Sequence, residues 1–286
     1  VFVGSQDTKV YSVDASTGFL NWSYTTSGVV DSSPVVSGGV VYVGSDGFKV
    51  YAINASTGVL VWSYQTGGYV RSSPTVVDGV VLVGSDDNWL YALDATTGAV
   101  EWTAQTNGEL QSSVVASDEL AYVGSDDKKL YAFRLSTSTA AASSLTYTYS
   151  AGGFPVWDRA TGGNTLQAPT VHEGSVYVGS EDSYLYALDA TSGGVRWKYL
   201  SGGKVKTVPA ATGTSIYFGS DDKKVYGLST TNGASLWSYA TGGFVKSSPA
   251  VAGNRVYVRS DDQDVYALDA VDRQRKWDTF GPENKR

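Results

Sequence analysis

Residues 41–64, VYVGSDGFKVYAINASTGVLVWSY, decide the fold. They contain three runs rich in β-branched and aromatic residues, at Val41–Ser45, Val50–Ile53 and Leu60–Tyr64. Turn signals separate these runs, with Asp-Gly at 46–47 and the polar stretch Asn54–Gly58 further on. A fourth run, Ser72–Val77, follows a Gly-Gly pair. Four short strands joined by turns within one unit indicate a single antiparallel sheet.

The unit is repeated along the whole chain. Gly-Ser recurs at residues 4, 44, 84, 124, 179 and 219, and Arg259-Ser260 takes the seventh place. The spacing is 40 residues (84 − 44) except for one step of 55 (179 − 124). Seven units of this length predict an all-β fold, a seven-bladed β-propeller of four-stranded antiparallel blades.

The propeller is expected to be one domain spanning residues 1–286, with repeats that start near residues 1, 41, 81, 121, 176, 216 and 256. We label the strands of a blade A (Ser-Ser-Pro), B (Val-Tyr-Val-Gly-Ser), C (Val-Tyr-Ala-Leu) and D (the Trp strand). The chain supplies seven B, C and D strands but six A strands. The first blade is therefore expected to lack its inner strand in this chain.

Composition excludes several kinds of site and partner. The 286 residues include no Cys, which rules out disulfides, thiolate catalysis and Cys-ligated metals, and the one His rules out a multi-histidine metal site. The net charge of -7 argues against nucleic acid as a partner. No apolar run approaches the roughly 18 residues of a membrane span. The sequence predicts neither a metal nor a cofactor.

Six repeats carry, with variations, the motif Ala-x-Asp-Ala-x-Thr-Gly-x-x-x-Trp, most clearly in Ala92–Trp102 and Ala187–Trp197. This resembles the tryptophan-docking motif of the pyrroloquinoline-quinone-type propellers. That superfamily includes quinoprotein dehydrogenases, the outer-membrane assembly lipoprotein of the β-barrel machinery, and many sensor and cell-surface domains. The resemblance covers essentially the whole chain and implies the propeller fold, whereas function stays open because propellers host unrelated activities.

Each motif indole is expected to lie across the neighbouring blade and bury about 150–250 Å². The predicted docking residues are Trp22, Trp62, Trp102, Tyr147, Trp197, Trp237 and Trp277. Tyr147 enters this set because residues 145–153, LTYTYSAGG, align with residues 60–68, LVWSYQTGG. The same alignment divides the extra residues of the fourth repeat into insertions near 136–144 and 154–163.

The second insertion suggests a binding site, because it contains Trp157, Asp158 and Arg159 outside the docking pattern. In an antiparallel meander the D–A and B–C connections share one face of the blade. Trp89, which follows a B–C turn, is then expected on the same face as Trp157. Exposed Trp at a rim is typical of contact with a protein or a sugar. The alternative is that each indole packs on its own loop.

A second candidate site lies where each A strand begins. Three residues before the Pro position stand Asp31, Arg71, Gln111, Leu166, Lys206 and Lys246. Their charge and size vary within a near-constant framework, which a structural role does not require. A mixed cationic ring could bind an anionic group or a partner's carboxylate, and a ring of ordinary surface charge is the alternative. The acidic B–C turns lack the ligand pattern of a calcium loop.

The sequence favours a non-catalytic scaffold that presents one loop face to a protein or glycan. His172, in an A–B turn on the opposite face, is the one available base for a Ser-His-Asp arrangement, and no Walker or G-x-S-x-G motif has the right flanks. We expect a monomeric domain of a larger cell-envelope or secreted protein, extracellular or periplasmic. The alternatives are a quinoprotein-like oxidoreductase or a glycan-active hydrolase using the same face, or a natural or engineered scaffold without a ligand.

Overall fold

A computed structural model describes residues 1–117, 119–135 and 153–271, together with the backbone of 275–279. The regular secondary structure of these residues consists of β-strands alone, and the strands form seven antiparallel sheets. Each sheet is a meander in chain order, which follows from short strand runs separated by turn residues. The predicted all-β, seven-bladed β-propeller is confirmed.

Blades 1 to 3 contain the first eleven strands. Blade 1 has the strands β1 (Phe2–Gly4), β2 (Lys9–Val13) and β3 (Leu20–Thr25). Blade 2 has β4 (Val35–Ser37), β5 (Val40–Ser45), β6 (Lys49–Asn54) and β7 (Leu60–Gln65). Blade 3 has β8 (Thr75–Val77), β9 (Val80–Gly84), β10 (Trp89–Asp94) and β11 (Val100–Gln105). Among the described residues, blade 1 therefore has three strands, as its sequence predicts.

Blades 4 to 7 contain four strands each. Blade 4 has β12 (Val115–Ser117), β13 (Leu120–Ser125), β14 (Lys129–Arg134) and β15 (Trp157–Ala160). Blade 5 has β16 (Thr170–His172), β17 (Ser175–Gly179), β18 (Tyr184–Asp189) and β19 (Val195–Leu200). Blade 6 has β20 (Ala210–Thr212), β21 (Ser215–Ser220), β22 (Lys224–Ser229) and β23 (Ser235–Ala240). Blade 7 has β24 (Ala250–Ala252), β25 (Arg255–Arg259), β26 (Val265–Asp269) and β27 (Arg275–Thr279).

The chain forms two compact units. Unit 1 comprises Val1–Asp127 and Tyr131–Asp158, and unit 2 comprises Lys128–Leu130 and Arg159–Arg286. Within each unit the core lies between consecutive blades, because both faces of the B and C strands are apolar. Val41 and Val43 of blade 2, for example, pack with Val10 of blade 1 and are fully buried.

Tryptophan side chains bridge neighbouring blades. The indole Nε1 of Trp62 donates a 2.9 Å hydrogen bond to the carbonyl of Ala95 in the next blade. Equivalent bonds, each to a carbonyl 33 residues further on, are donated by Trp22, Trp102, Trp197 and Trp237. In six of the blades the C strand has a register shift next to the residue that pairs with the Trp, as between Ala92 and Leu93. Such a bulge re-aims a side chain, and here it occurs where the indole leaves its own blade.

The structure of the fourth blade shows that the alignment of residues 145–153 with residues 60–68 is wrong. Its outer strand is β15, which begins at Trp157, and Thr161 donates its backbone N–H to Lys128 as Thr66 does to Phe48 in blade 2. Trp157 lies 5.8 Å from the ring of Tyr122, as Trp62 lies 5.9 Å from Tyr42. The predicted insertion near 154–163 is therefore wrong. Tyr147 and the region 136–144 lie outside the described residues, as does the side chain of Trp277.

Replacing Gly98 by alanine tests the contact between an indole and the next blade. Gly98 has φ of +73°, and a Cβ there would lie 2.7 Å from the Trp62 ring. Gly79 has φ of +77° with nothing within 4 Å of the corresponding position. We expect Gly79→Ala to lower the free energy of unfolding by about 1 kcal/mol through backbone strain, and Gly98→Ala by about 1–3 kcal/mol more through the clash, measured in urea. Equal losses in both variants would contradict an indole packed on Gly98.

Candidate functional site

Acidic B–C turns hold the D–A connections through their second residue. Asp87 Oδ2 accepts a 2.7 Å hydrogen bond from the backbone N–H of Gly67 and another of 2.7 Å from the Tyr91 hydroxyl. Asp87 Oδ1 accepts from the N–H of Trp89 at 3.0 Å. The same set recurs around Asp182, Asp222 and Asp262. The second carboxylate of these turns is therefore part of the joint between blades.

The first residue of each turn is held beside the start of an A strand. The backbone N–H of Asp86 donates to the carbonyl of Tyr69 at 2.9 Å, and that of Asp46 donates to Val29 at 2.8 Å. Equivalent bonds join Asp126 to Glu109, Glu181 to Asn164, Asp221 to Lys204, and Asp261 to Phe244. In these six repeats, three positions thus share one face. We call them the turn position (as Asp86), the connection position (as Tyr69) and the pre-proline position (as Arg71).

The cations at the pre-proline position bridge acids from two consecutive turns. In unit 1 the Arg71 guanidinium lies 3.2 Å from Asp46 and 3.1 Å from Asp86. In unit 2 Lys206 lies 3.3 Å from Glu181 and 3.7 Å from Asp221. Lys246 pairs with Asp261. Arg71, Lys206 and Lys246 are already matched by carboxylates, which argues against the predicted cationic ring for an anion.

The other pre-proline residues do not act as cations. The amide of Gln111 donates a 2.9 Å hydrogen bond to Glu109. Asp31 is exposed, and Leu166 is half-buried. Gln111 therefore stands where Arg71 and Lys206 stand in other repeats, between the turn residues Asp86 and Asp126, without their charge.

Unit 1 carries an excess of negative charge at the three positions. Asp31, Asp46, Asp86, Glu109 and Asp126 supply five negative charges against the one positive charge of Arg71, a sum of -4. The same positions in unit 2 sum to zero, with three acids and three lysines: Glu181, Asp221, Asp261, Lys204, Lys206 and Lys246. The two units thus present different electrostatic surfaces on one scaffold.

The excess changes the ionisation of a buried carboxyl. The side chain of Asp86 is 7% exposed, and its Oδ1 accepts no hydrogen bond from the described residues. Burial, followed by the charge of Glu109, raises the pKa of Asp86 to about 6 although Arg71 opposes the shift. For Glu181, burial acts in the same direction, but hydrogen bonds from Lys204 and Lys206 outweigh it and hold the pKa below its usual value. Unit 2 thus has two lysines, Lys204 and Lys206, where unit 1 has Glu109 and Gln111.

An exposed aromatic pair lies beside this charge, and the sequence analysis missed it. The rings of Phe48 and Tyr69 meet edge to face with centroids 5.0 Å apart, and they are 38% and 40% exposed. The Arg71 guanidinium lies 4.5 Å from the centre of the Tyr69 ring. Phe48 has φ of +61° at a turn place that is polar in the other six repeats: Thr8, Asn88, Lys128, Ser183, Lys223 and Gln263. Comparison of that one place across the repeats could have identified it.

The two tryptophans predicted as rim contacts lie elsewhere than expected. Trp157 is 8% exposed in β15, so its predicted place in a surface loop is wrong, because it takes the role of the motif indole. Trp89 is half-buried against the core between blades 2 and 3. Asp158 is exposed, and the Arg159 guanidinium donates a 2.8 Å hydrogen bond to the carbonyl of Gly193. The structure does not bring Trp157 and Trp89 together as one exposed surface.

Replacing each of these tryptophans separates the two roles. We expect Trp157→Ala to lower the free energy of unfolding by about 3–5 kcal/mol, as for a buried core aromatic. Trp89→Ala should cost about half as much, because its ring is already partly in water. Urea unfolding of both variants checks this, and equal small losses would contradict a core role for Trp157.

We expect replacement of the buried carboxyl of Asp86 to increase the stability of the folded chain in a pH-dependent way. Because the pKa of Asp86 is raised in the folded chain to about 6, its contribution to stability is fully present below pH 4 and is lost as pH rises through 6. Two pKa units correspond to about 3 kcal/mol, part of which Asp86→Asn forfeits with the Arg71 contact. We expect a gain of about 1–2 kcal/mol at pH 7.5 and none at pH 4.

Asp221→Asn is the matched control for that experiment. It stands at the same repeat position but removes a partner of Lys206, so it should lose stability at pH 7.5. Thermal unfolding across pH 4–8 compares the two variants. If Asp86→Asn lost as much stability at pH 7.5 as Asp221→Asn, the claim that excess negative charge destabilises the ionised Asp86 would be contradicted.

The described residues contain no group of three or more His, Cys, Asp or Glu arranged to hold a metal ion. They also contain no helix with the length and hydropathy needed to cross a bilayer.

Comparison with solved structures shows the same fold in proteins of low identity. The structure of BamB from Moraxella catarrhalis is 24% identical with a TM-score of 0.75, covering 92% of this chain and 77% of that one. The computationally designed Ika8 protein is 16% identical with a TM-score of 0.80, covering 98% and 83%. No curated protein matches the chain.

The family comparison covers most of the sequence. The model described as outer membrane protein assembly factor BamB matches residues 6–144, 139–209 and 185–284. These ranges contain all the motif tryptophans and all the turn, connection and pre-proline positions from Asp31 to Asp261. The chain therefore belongs to the family of the outer membrane protein assembly factor BamB, within the pyrroloquinoline-quinone-type β-propellers.

Proposed function

We propose that this chain is a non-catalytic scaffold of the cell envelope that binds protein partners through the face formed by its B–C turns and D–A connections. Family membership over residues 6–284 carries the proposal, because the family is described as an assembly factor of outer membrane proteins. Fold alone would not support it, since propellers host unrelated activities.

The rigidity of the face favours binding by a preformed surface. Asp46, Asp86 and Asp126 are each fixed by a backbone hydrogen bond to the neighbouring connection, and Asp87 holds its joint with three more. Groups held this way lose little entropy when a partner docks. Varied side chains on a constant framework can then determine which partner is bound.

A protein partner fits this face better than a glycan. The tryptophans that suggested sugar contact are buried or half-buried. On this face, unit 1 exposes the aromatic pair Phe48 and Tyr69 and the carboxylate of Asp31, and its Glu109 is half-buried. Aromatic residues with a charged rim are typical of protein interfaces.

Photo-crosslinking in cells of the source organism tests the proposal. A photoreactive phenylalanine analogue is placed at Phe48 or Tyr69, on the proposed face, and at Val59, in a C–D turn at 63% exposure on the other side of the blade. We expect the first two positions to give one shared crosslinked envelope protein that Val59 does not give. Crosslinks from Val59 alone, or none from any position, would overturn the proposed face.

A further inference from the structure

The acidic face of unit 1 repeats a cation site whose cation is missing. In blade 3 the pre-proline Arg71 pairs with the turn residues Asp46 and Asp86. In unit 2 Lys206 does the same between Glu181 and Asp221. At the next equivalent place in unit 1 the residue between two acidic turns is Gln111, which is neutral. Arg71 and Lys206 are therefore filled examples of the arrangement, whereas Gln111 leaves its place without a positive charge.

An exposed aromatic pair beside the acidic residues points to a ligand. The rings of Phe48 and Tyr69 are 38% and 40% exposed, and the Tyr69 carbonyl accepts a hydrogen bond from the Asp86 N–H. The buried Oδ1 of Asp86 accepts no hydrogen bond from the described residues, but the same holds for Asp221 in unit 2, so this feature does not distinguish the two units. An apolar contact and an excess of negative charge are thus adjacent.

We propose that this surface, formed by Phe48, Tyr69, Asp86, Glu109 and Gln111, docks a partner segment that places a lysine or arginine at Gln111 and an apolar side chain on the aromatic pair. The proposal rests on the protein-binding function above and specifies the partner's chemistry. The sum of -4 at the three face positions of unit 1 selects a basic segment, and Glu109 is the accessible carboxylate for its cation. The balanced unit 2 should not bind it.

The exposed fraction of each side chain suits its role. Phe48 and Tyr69 are 38% and 40% exposed, so a partner can cover them. Glu109 and Gln111 are half-buried and already hydrogen-bonded to each other at 2.9 Å. The guanidinium of a partner's arginine can then act as a second donor to the Glu109 carboxylate. Asp86 and Asp126 then contribute through their field rather than through direct contact.

The binding experiment uses defined peptides and the whole chain. A fluorescein-labelled peptide of alternating Arg and Leu is compared with one of alternating Arg and Ser and one of alternating Glu and Leu, by fluorescence anisotropy at pH 7.5. We expect the Arg-Leu peptide to bind, the Arg-Ser peptide to bind about tenfold more weakly for want of the apolar contact, and the Glu-Leu peptide not to bind. Equal affinity for the Arg-Leu and Arg-Ser peptides would overturn the aromatic part of the site.

Gln111→Arg supplies the missing cation from within the chain. It should weaken Arg-Leu binding at least tenfold, because the added guanidinium occupies the place of the partner's. Val59→Arg adds the same charge at an exposed C–D turn and should change binding less than twofold. If both variants lose affinity equally, the binding is non-specific attraction to net charge and the proposal fails.

Two further substitutions, one in each unit, test the assignment of peptide binding to unit 1. Glu109→Gln, at a half-buried side chain, should weaken binding about fivefold. Lys206→Gln, which creates the equivalent neutral gap in unit 2, should leave Arg-Leu binding to unit 1 unchanged, and a loss there would contradict the assignment to unit 1. Crosslinking from Phe48 without peptide binding would leave the scaffold function standing and overturn only the basic partner.

The pH dependence of binding gives a second readout. Burial and the charges of Glu109, Asp46 and Asp126 raise the pKa of Asp86 to about 6, with Arg71 acting in the opposite direction. A bound cation favours the ionised carboxyl, so Arg-Leu affinity should fall as the pH is lowered from 7.5 to 5. In Asp86→Asn this fall should be reduced at least threefold, whereas an unchanged pH profile would contradict a role for Asp86.

Discussion

The contact between an indole and the next blade is the interaction on which the rest of the structure depends. A Trp in strand D donates to a carbonyl 33 residues later. For Trp22, Trp62 and Trp197 the ring lies on a glycine of the same turn. The bond fixes one blade against the next in angle as well as distance, because the ring is flat and the N–H is directional. In six of the blades, the β-bulge beside the partner of the Trp is the backbone adjustment that lets the side chain leave its own sheet.

A framework fixed in this way leaves other positions free to vary. The two adjacent acids of a turn have different roles. Asp87 holds the joint between blades, and Asp86 lies beside the D–A connection. Because the second acid secures the geometry, the first and its neighbours can differ between repeats without loss of the fold. Charge excess in unit 1 and charge balance in unit 2 are two outcomes of that freedom.

The sequence predicts the fold well because strand runs, turns and the Trp motif all recur at one spacing. It fails at the fourth blade, where residues 145–153 imitate a D strand. The spacing from Trp to a hydroxyl residue four positions on, as in Trp62 to Thr66 and Trp157 to Thr161, identifies the true strand. The ion pairs of Arg71 join residues 25 and 15 positions away in two different turns. The repeat aligns those positions but does not say which of them touch.

The joint between blades 1 and 2 is built from different chemistry than the joints held by Asp87, Asp182, Asp222 and Asp262. Gly47 takes the place of the second acid, and the Tyr51 hydroxyl instead bonds the backbone N–H of Ser27 at 2.9 Å and its hydroxyl at 2.8 Å. Neither serine nor tyrosine gains a proton on acidification. At the joint between blades 6 and 7, by contrast, burial raises the pKa of Asp262 but hydrogen bonds from the Tyr266 hydroxyl and the Gly242 N–H outweigh it and hold the pKa below its usual value. Protonation of Asp262 in strong acid therefore weakens that joint, whereas the neutral joint between blades 1 and 2 has no carboxylate to protonate, so tolerance of acid differs from one joint to another.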